Sequence, residues 1–244
     1  MTFELIRDIV KLAVIVAFLY FALGVYLGWK QPAWSAFAGK RRFTILLTLV
    51  LAVVGIKVSE DAVNRESGPF DVPVLQFIHA NVPPSLTGIF EAVTISGSPS
   101  ILLPLVIIMV VALSCAKRHF EALLLTVSVI SGAIVVYVLK AVVGRARPDL
   151  WDTEWYWGSS FPSGHTLVVA ALATATVISV NRIWPGSRKF AMLIAFVWVF
   201  SVCISRLVLG VHWPTDVLAA VCIGMFLPLA IGIVLESSPR LTVR

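Results

Sequence analysis

The stretch FEALLLTVSVISGAIVVYVLK, residues 120–140, decides the fold. A helix needs about 20 predominantly apolar residues to cross a hydrocarbon core of about 30 Å, and this run is long enough. Working outward, six further runs read the same way, at about 9–28, 43–60, 97–116, 165–183, 190–207 and 214–235. Those at 43–60, 165–183 and 190–207 have short uninterrupted apolar cores and rely on snorkelling ends such as Lys57. Composition agrees: 59% of the 244 residues are hydrophobic and only 13% are charged. A soluble domain carries roughly 45–50% apolar and about 25% charged residues. The chain is therefore expected to be all-α, a polytopic transmembrane helix bundle of seven spans, with no internal repeat.

The first run could be mistaken for a signal peptide. It is preceded by Glu4 and Asp8 and lacks a small-residue cleavage site after it, so it reads as a retained helix. Cys115, Cys203 and Cys222 sit in apolar runs without metal-like spacing and read as small buried hydrophobes. Residues 61–96 are too polar and too often interrupted by proline to span. Within them Val72–Ala80 is apolar on one face. It fits an amphipathic interfacial helix or a partly structured loop. Trp151, Trp155, Tyr156 and Trp157 fit a headgroup-level aromatic belt or the lining of a substrate portal.

The net charge of +6 raises the question of nucleic acid, and its distribution argues against that partner. Lys30, Lys40, Arg41 and Arg42 lie between the first and second runs, and Lys117 and Arg118 between the third and fourth. Arg182, Arg188 and Lys189 lie between the fifth and sixth, and Arg240 and Arg244 close the chain. These connectors alternate, so they share one side of the membrane, the cytoplasmic side by the positive-inside rule. The N-terminus and the acidic segment Ser59–Asp71 fall on the other side.

That other side also receives three stretches rich in chemistry: KAVVGRARP at 140–148, FPSGH at 161–165 and SRLVLGVHWPTD at 205–216. Lys140, Arg145, Arg147 and Arg206 lie near span ends. At the bilayer centre four such cations would cost roughly 10–14 kcal/mol, so they belong at the interface or in a polar pocket holding an anion. Arginine's planar fork matches phosphate oxygens in pairs, while lysine acts as a point charge. Ser163 supplies a hydroxyl. Gly164 lets the backbone approach an oxyanion, and the segment leads into a helix N-terminus suited to anions. His212 and Asp216 are four residues apart, with Pro214 suited to a first helical turn between them. A carboxylate on one imidazole nitrogen fixes the tautomer and frees the other nitrogen to attack. A metal is the rival reading. The four histidines, at 79, 119, 165 and 212, form no His-x-x-x-His pair, His119 belongs to the opposite side, and the cations would repel a divalent ion.

Taken together, the three stretches resemble the motifs of the type 2 phosphatidic acid phosphatase family, relatives of the vanadium haloperoxidases. Lys140 is followed by six residues and Arg147-Pro148, and Pro162-Ser163-Gly164-His165 is unbroken. Ser205-Arg206 is followed by five residues, His212, three more, and Asp216. The likeness covers roughly residues 43–235. It implies a six-helix phosphatase core at 43–244, with an extra N-terminal helix and cytoplasmic connector at 1–42. It further implies that His212 attacks phosphorus to form a phosphohistidine, that Asp216 orients it, and that His165 protonates the leaving oxygen and then activates water. Lys140, Arg147, Ser163, Gly164 and Arg206 would hold phosphate oxygens, with no metal and no cofactor. Many relatives read Arg-Pro-Arg-Pro where this chain has Arg145-Ala146-Arg147-Pro148. The expected partner is a lipid phosphate or diphosphate of the undecaprenyl diphosphate, phosphatidic acid or phosphatidylglycerol phosphate type. The expected setting is a bacterial inner membrane with the site on the periplasmic or extracellular side. A phosphotransferase using the same intermediate and a non-catalytic lipid-phosphate transporter are the alternatives. Composition excludes a soluble haloperoxidase.

Overall fold

The structure, a computed structural model, describes residues 2–30, 32–151 and 158–237. Among them the secondary structure is helical: α1 (Thr2–Lys30), α2 (Pro32–Lys40), α3 (Arg42–Val63), α4 (Gly68–Asn81), α5 (Thr87–Ile95), α6 (Pro99–Cys115), α7 (His119–Val143), α8 (Gly164–Ile183), α9 (Arg188–Val208) and α10 (Pro214–Ser237). Seven segments are long and apolar enough to cross a membrane. They overlap the seven runs expected from the sequence, the third beginning at Pro84, inside the stretch expected not to span, and the protein is an integral membrane protein. Trp155, Tyr156, Trp157, Arg240 and Arg244 lie outside the described residues.

The distribution of side chains is that of a membrane bundle. Phe18, Phe21, Ile108, Ile134, Phe190 and Phe196 are among the large apolar groups left on the outside. The interior holds Asp71, Glu121, Ser128, Ser163, Arg206, His212 and Asp216. In water such a surface would be an aggregation hazard, whereas in lipid it is the solvated face.

Helices α8 and α10 form the centre. α10 packs on α3, α7 and α8, and α8 packs on α7, α9 and α10. Small residues permit this closeness. A Cβ at Gly224 of α10 would stand 2.5 Å from the Leu167 carbonyl oxygen of α8, and one at Gly55 of α3 would stand 3.1 Å from Cys222 Cβ. α1 packs on α2 and α3, away from this centre.

The helix ends sort into two groups. At one end, Ala62 of α3, Phe161 and Ala219 of α10 pack together with Leu139 and Val143 of α7. At the other, Phe120 and Leu124 of α7 meet Ala175 of α8 and Leu235 of α10. Arg182 joins buried Glu121 at 3.2 Å and Glu236 at 3.0 Å, and Arg41 joins Glu236 at 2.8 Å. The basic connectors containing Arg41 and Arg182 therefore share one end, and the three chemistry-bearing stretches share the opposite one.

Three sequence expectations meet the structure here, and one of them fails. Residues 61–96 fold into both α4 and α5, so the helix reading of Val72–Ala80 holds and the order extends well beyond it. The reason is tertiary: Leu75 and Ile78 of α4 pack against Leu207, Trp213 and Val217. Cys115 is exposed at the end of α6, unlike buried Cys222 and half-buried Cys203, so the buried reading fails for it. Lys57 lies in the last two turns of α3 and reaches toward the helix end, where Asp61, one turn on, accepts its hydrogen bond at 2.6 Å, in keeping with a snorkelling side chain.

Candidate active site

Local chemistry places the functional groups at helix ends. Gly144 takes a left-handed conformation at φ 58° and stops α7 four residues after Lys140. Ser163 caps α8 in extended conformation, and Gly164 opens the helix. Gly210, at φ 65°, turns the chain after α9, bringing His212 back over the bundle. A Cβ there would also meet the Trp151 indole at 2.8 Å. Pro214 starts α10, so His212 lies just outside the helix and Asp216 in its first turn.

The three stretches are stitched to one another. The Ser163 amide donates to the Asp216 carbonyl at 3.3 Å, and the Ser160 amide to the Arg145 carbonyl at 2.8 Å. Arg147 donates to the Val211 carbonyl at 2.7 Å and to the Gly158 carbonyl at 3.3 Å. The Trp213 indole donates to the Ala146 carbonyl at 3.0 Å. Lys140 donates to the Ser159 carbonyl. The Ser163 and Thr166 hydroxyls are 3.0 Å apart.

His212 is 2% exposed, and its Nδ1 stands 3.6 Å from Asp216 Oδ2, just beyond hydrogen-bond length. That nitrogen has no closer partner, which makes the carboxylate its natural acceptor once the pair tightens. Asp216 is held on both oxygens. Oδ2 accepts the Trp213 amide at 3.0 Å, and Oδ1 accepts Arg145 at 2.5 Å. Burial pushes the His212 pKa down to about 4; Asp216 opposes that shift, and the Arg206 and Arg147 guanidiniums add to it. At neutral pH the imidazole is uncharged, with a lone pair free. His165 lies within electrostatic reach of Arg206, His212, Lys140 and Arg147.

Arg145 departs from the sequence expectation. Instead of joining the other cations around an anion, it turns into the protein. Its guanidinium donates to Asp216, to the Thr215 hydroxyl at 2.9 Å, to the Ser67 hydroxyl at 2.7 Å and to Asp71 Oδ2 at 2.7 Å. Asp71 in turn accepts the Thr215 amide at 2.9 Å and the Thr215 hydroxyl at 2.8 Å. The physical reason is the pair of buried carboxylates, 1% and 0% exposed at the side chain, which need a counter-charge more than a solvated anion does.

Sequence reasoning missed Asp71, Ser67, Thr215 and Thr94. Thr94, at the end of α5, accepts from buried Arg206 at 2.6 Å. Asp71 sat in an acidic segment that carried no motif spacing, and Thr215 was visible inside the His212–Asp216 stretch without a partner to give it meaning. Among the described residues no group of three or more His, Cys, Asp or Glu side chains could hold a metal ion.

The family model described as the PAP2 superfamily matches residues 121–236, the part that carries all three stretches. Phosphatidylglycerophosphatase B of Bacillus subtilis is 31% identical over 147 residues, covering 59% of this chain and 72% of that protein. Undecaprenyl-diphosphatase of Sulfolobus acidocaldarius is 23% identical over 188 residues, covering 75% of this chain and 86% of that one. A crystal structure of a transmembrane PAP2-type phosphatidylglycerolphosphate phosphatase from Bacillus subtilis superposes with a TM-score of 0.65 at 26% identity. It covers 77% of this chain and 93% of its own. Motif spacing, helix arrangement and the clustered histidines and cations lead to one conclusion: the chain belongs to the PAP2 superfamily and is a membrane phosphatase of that family.

Proposed function

We propose that this protein removes phosphate from a lipid phosphate or diphosphate at the outer leaflet, through a phosphohistidine on His212. The observation that carries the reading is the buried, uncharged His212 with Asp216 behind its Nδ1 and with Lys140, His165 and the Arg147 and Arg206 guanidiniums around it.

In the first step the free His212 nitrogen attacks phosphorus and the bond from phosphorus to the lipid oxygen breaks. His165 gives that oxygen its proton. Lys140, Arg147, Arg206, the Ser163 hydroxyl and the Gly164 amide hold the equatorial oxygens, where a phosphoryl group spreads its charge. Asp216 stabilises the imidazole as it gains positive character. In the second step water attacks the phosphohistidine, His165 accepts the water proton, and inorganic phosphate leaves.

The outer leaflet is supported by the basic connectors at the opposite end of the bundle, which the positive-inside rule assigns to the cytoplasm. A bacterial inner membrane fits the compact connectors. The names of the relatives support phosphatidylglycerol phosphate or undecaprenyl diphosphate as the substrate class.

The test is phosphate release by purified protein from a panel of lipid phosphates, without any added acceptor. Release by wild type and loss in His212→Ala, with an acid-labile phosphoryl adduct trapped on the wild-type protein, is the expected result. An active His212→Ala variant sinks the covalent route. Phosphate loss that requires a second lipid makes the protein a transferase.

A further inference from the structure

A groove of about 760 Å³ runs between α3 and α9, floored by α8 and α10, from a mouth at the end of the bundle remote from His212 up to Cys203 and Val221 near the catalytic end. That size lies within the range of small-molecule sites, about 300–1,000 Å³. Its walls are apolar for most of their length, from Leu47 on α3 and Val177 on α8 to Phe196 on α9 and Met225 on α10. Arg188 and Cys203 both line it. At the helical rise they are roughly 22 Å apart, most of the way across a core of about 30 Å.

Charge gathers at one mouth only. Lys40, Arg41, Arg182 and Arg188 stand there with Glu236. Glu236 is shared by Arg41 and Arg182, and Arg182 also satisfies buried Glu121. Among the described residues four cations stand against two carboxylates, an excess of two positive charges, and no ion pair there involves Lys40 or Arg188. Arg188 also opens α9, where the helix dipole adds positive potential. An apolar slot along the membrane normal with a cationic rim is complementary to one kind of molecule: an acyl chain bearing an anionic head.

We propose that this groove binds an anionic phospholipid from the leaflet opposite the catalytic end. Its acyl chain lies between α3 and α9, and its phosphate rests against Lys40 and Arg188. The tail of a substrate bound at His212 does not satisfy the site, because its head would sit at the other end and leave this rim facing no anion.

The test is native mass spectrometry of the full-length protein in mild detergent, titrated with phosphatidylglycerol or with phosphatidylcholine of the same chains. Phosphatidylglycerol is expected to be retained roughly 30-fold better, in line with two basic side chains near an anionic headgroup. In the double variant Lys40→Gln, Arg188→Gln that preference falls to parity while the melting temperature holds. Ala195→Trp, which fills the groove, lowers retention of both lipids. Equal retention of the two lipids by wild type overturns the proposal. So does a preference that survives the double variant and vanishes in Arg206→Gln, since the lipid then sits at the catalytic end.

Discussion

Asp71 and Asp216, 145 residues apart in sequence, share one guanidinium. Arg145 donates to Asp71 Oδ2 at 2.7 Å and to Asp216 Oδ1 at 2.5 Å. The carboxylate beside His212 is thereby braced from α4, a helix that contributes no motif residue. Charge-assisted hydrogen bonds of this kind contribute about 1.5–3 kcal/mol each.

Replacing Asp71 tests the brace. Asp71→Asn keeps shape but removes the charge that holds Arg145, and Asp216 loses its fixed direction. The expected result is a fall in kcat of roughly 10- to 100-fold with KM little changed, since a misdirected imidazole weakens the transition state alone. Asp71→Ala leaves Arg145 paired with Asp216 alone and strips the Thr215 amide of its acceptor, and should also destabilise the fold by about 1–3 kcal/mol, read from thermal unfolding in detergent. Unchanged kcat in Asp71→Asn would remove the brace from the mechanism.

Histidine titration tests the nucleophile's charge state. In NMR of the histidine-labelled protein, the resonance lost in His212→Asn should titrate near pH 4 instead of the ordinary value of 6.5. The stability sign follows. Above pH 6.5 neither folded nor unfolded His212 binds a proton, and the group contributes no pH dependence. Between pH 6.5 and about 4 the unfolded chain takes up a proton that the folded protein refuses. Stability therefore falls with pH by at most about 1.4 kcal/mol per unit. A resonance at 6.5 or above would refute the burial argument.

The leaving group tests His165. A general acid contributes about 10²–10⁴-fold where the departing oxygen is basic. His165→Gln should lose that factor on a lipid alkyl phosphate and much less on p-nitrophenyl phosphate, whose departing phenolate needs no proton. Equal losses on both substrates would make His165 a phosphate ligand.

Vanadate and chelators test the metal-free reading. Vanadate adopts the five-coordinate geometry of phosphorus under attack and should inhibit in competition with substrate. Prolonged treatment with EDTA should leave the initial rate unchanged. Loss of activity on chelation, restored by zinc, would require a metal site and a different role for His212.

The helices were legible because crossing a bilayer is a local demand. The apolar run at 120–140 needs no knowledge of its neighbours to be read as a span. Gly164 and Pro214 mark helix starts by their own backbone preferences. The His212–Asp216 neighbourhood was legible for a similar reason, since the two are four residues apart at a helix start. The third span shows the limit. Its helix is the 17-residue Pro99–Cys115, and α5 before it is a separate piece packed on α9.

The amino-acid order by itself determined seven crossings, the end of the bundle that carries the chemistry, and the side chains available there, because hydrophobic length, charge placement and turn chemistry act over a few residues. Only the tertiary structure decided which protein partners the buried cations take. Arg145 finds Asp71 and Asp216, and Arg206 finds Thr94, across separations of 74, 71 and 112 residues. Those partners meet because buried charges must be paired where helix ends converge, and which ends converge is settled by packing at places such as Gly224 against Leu167.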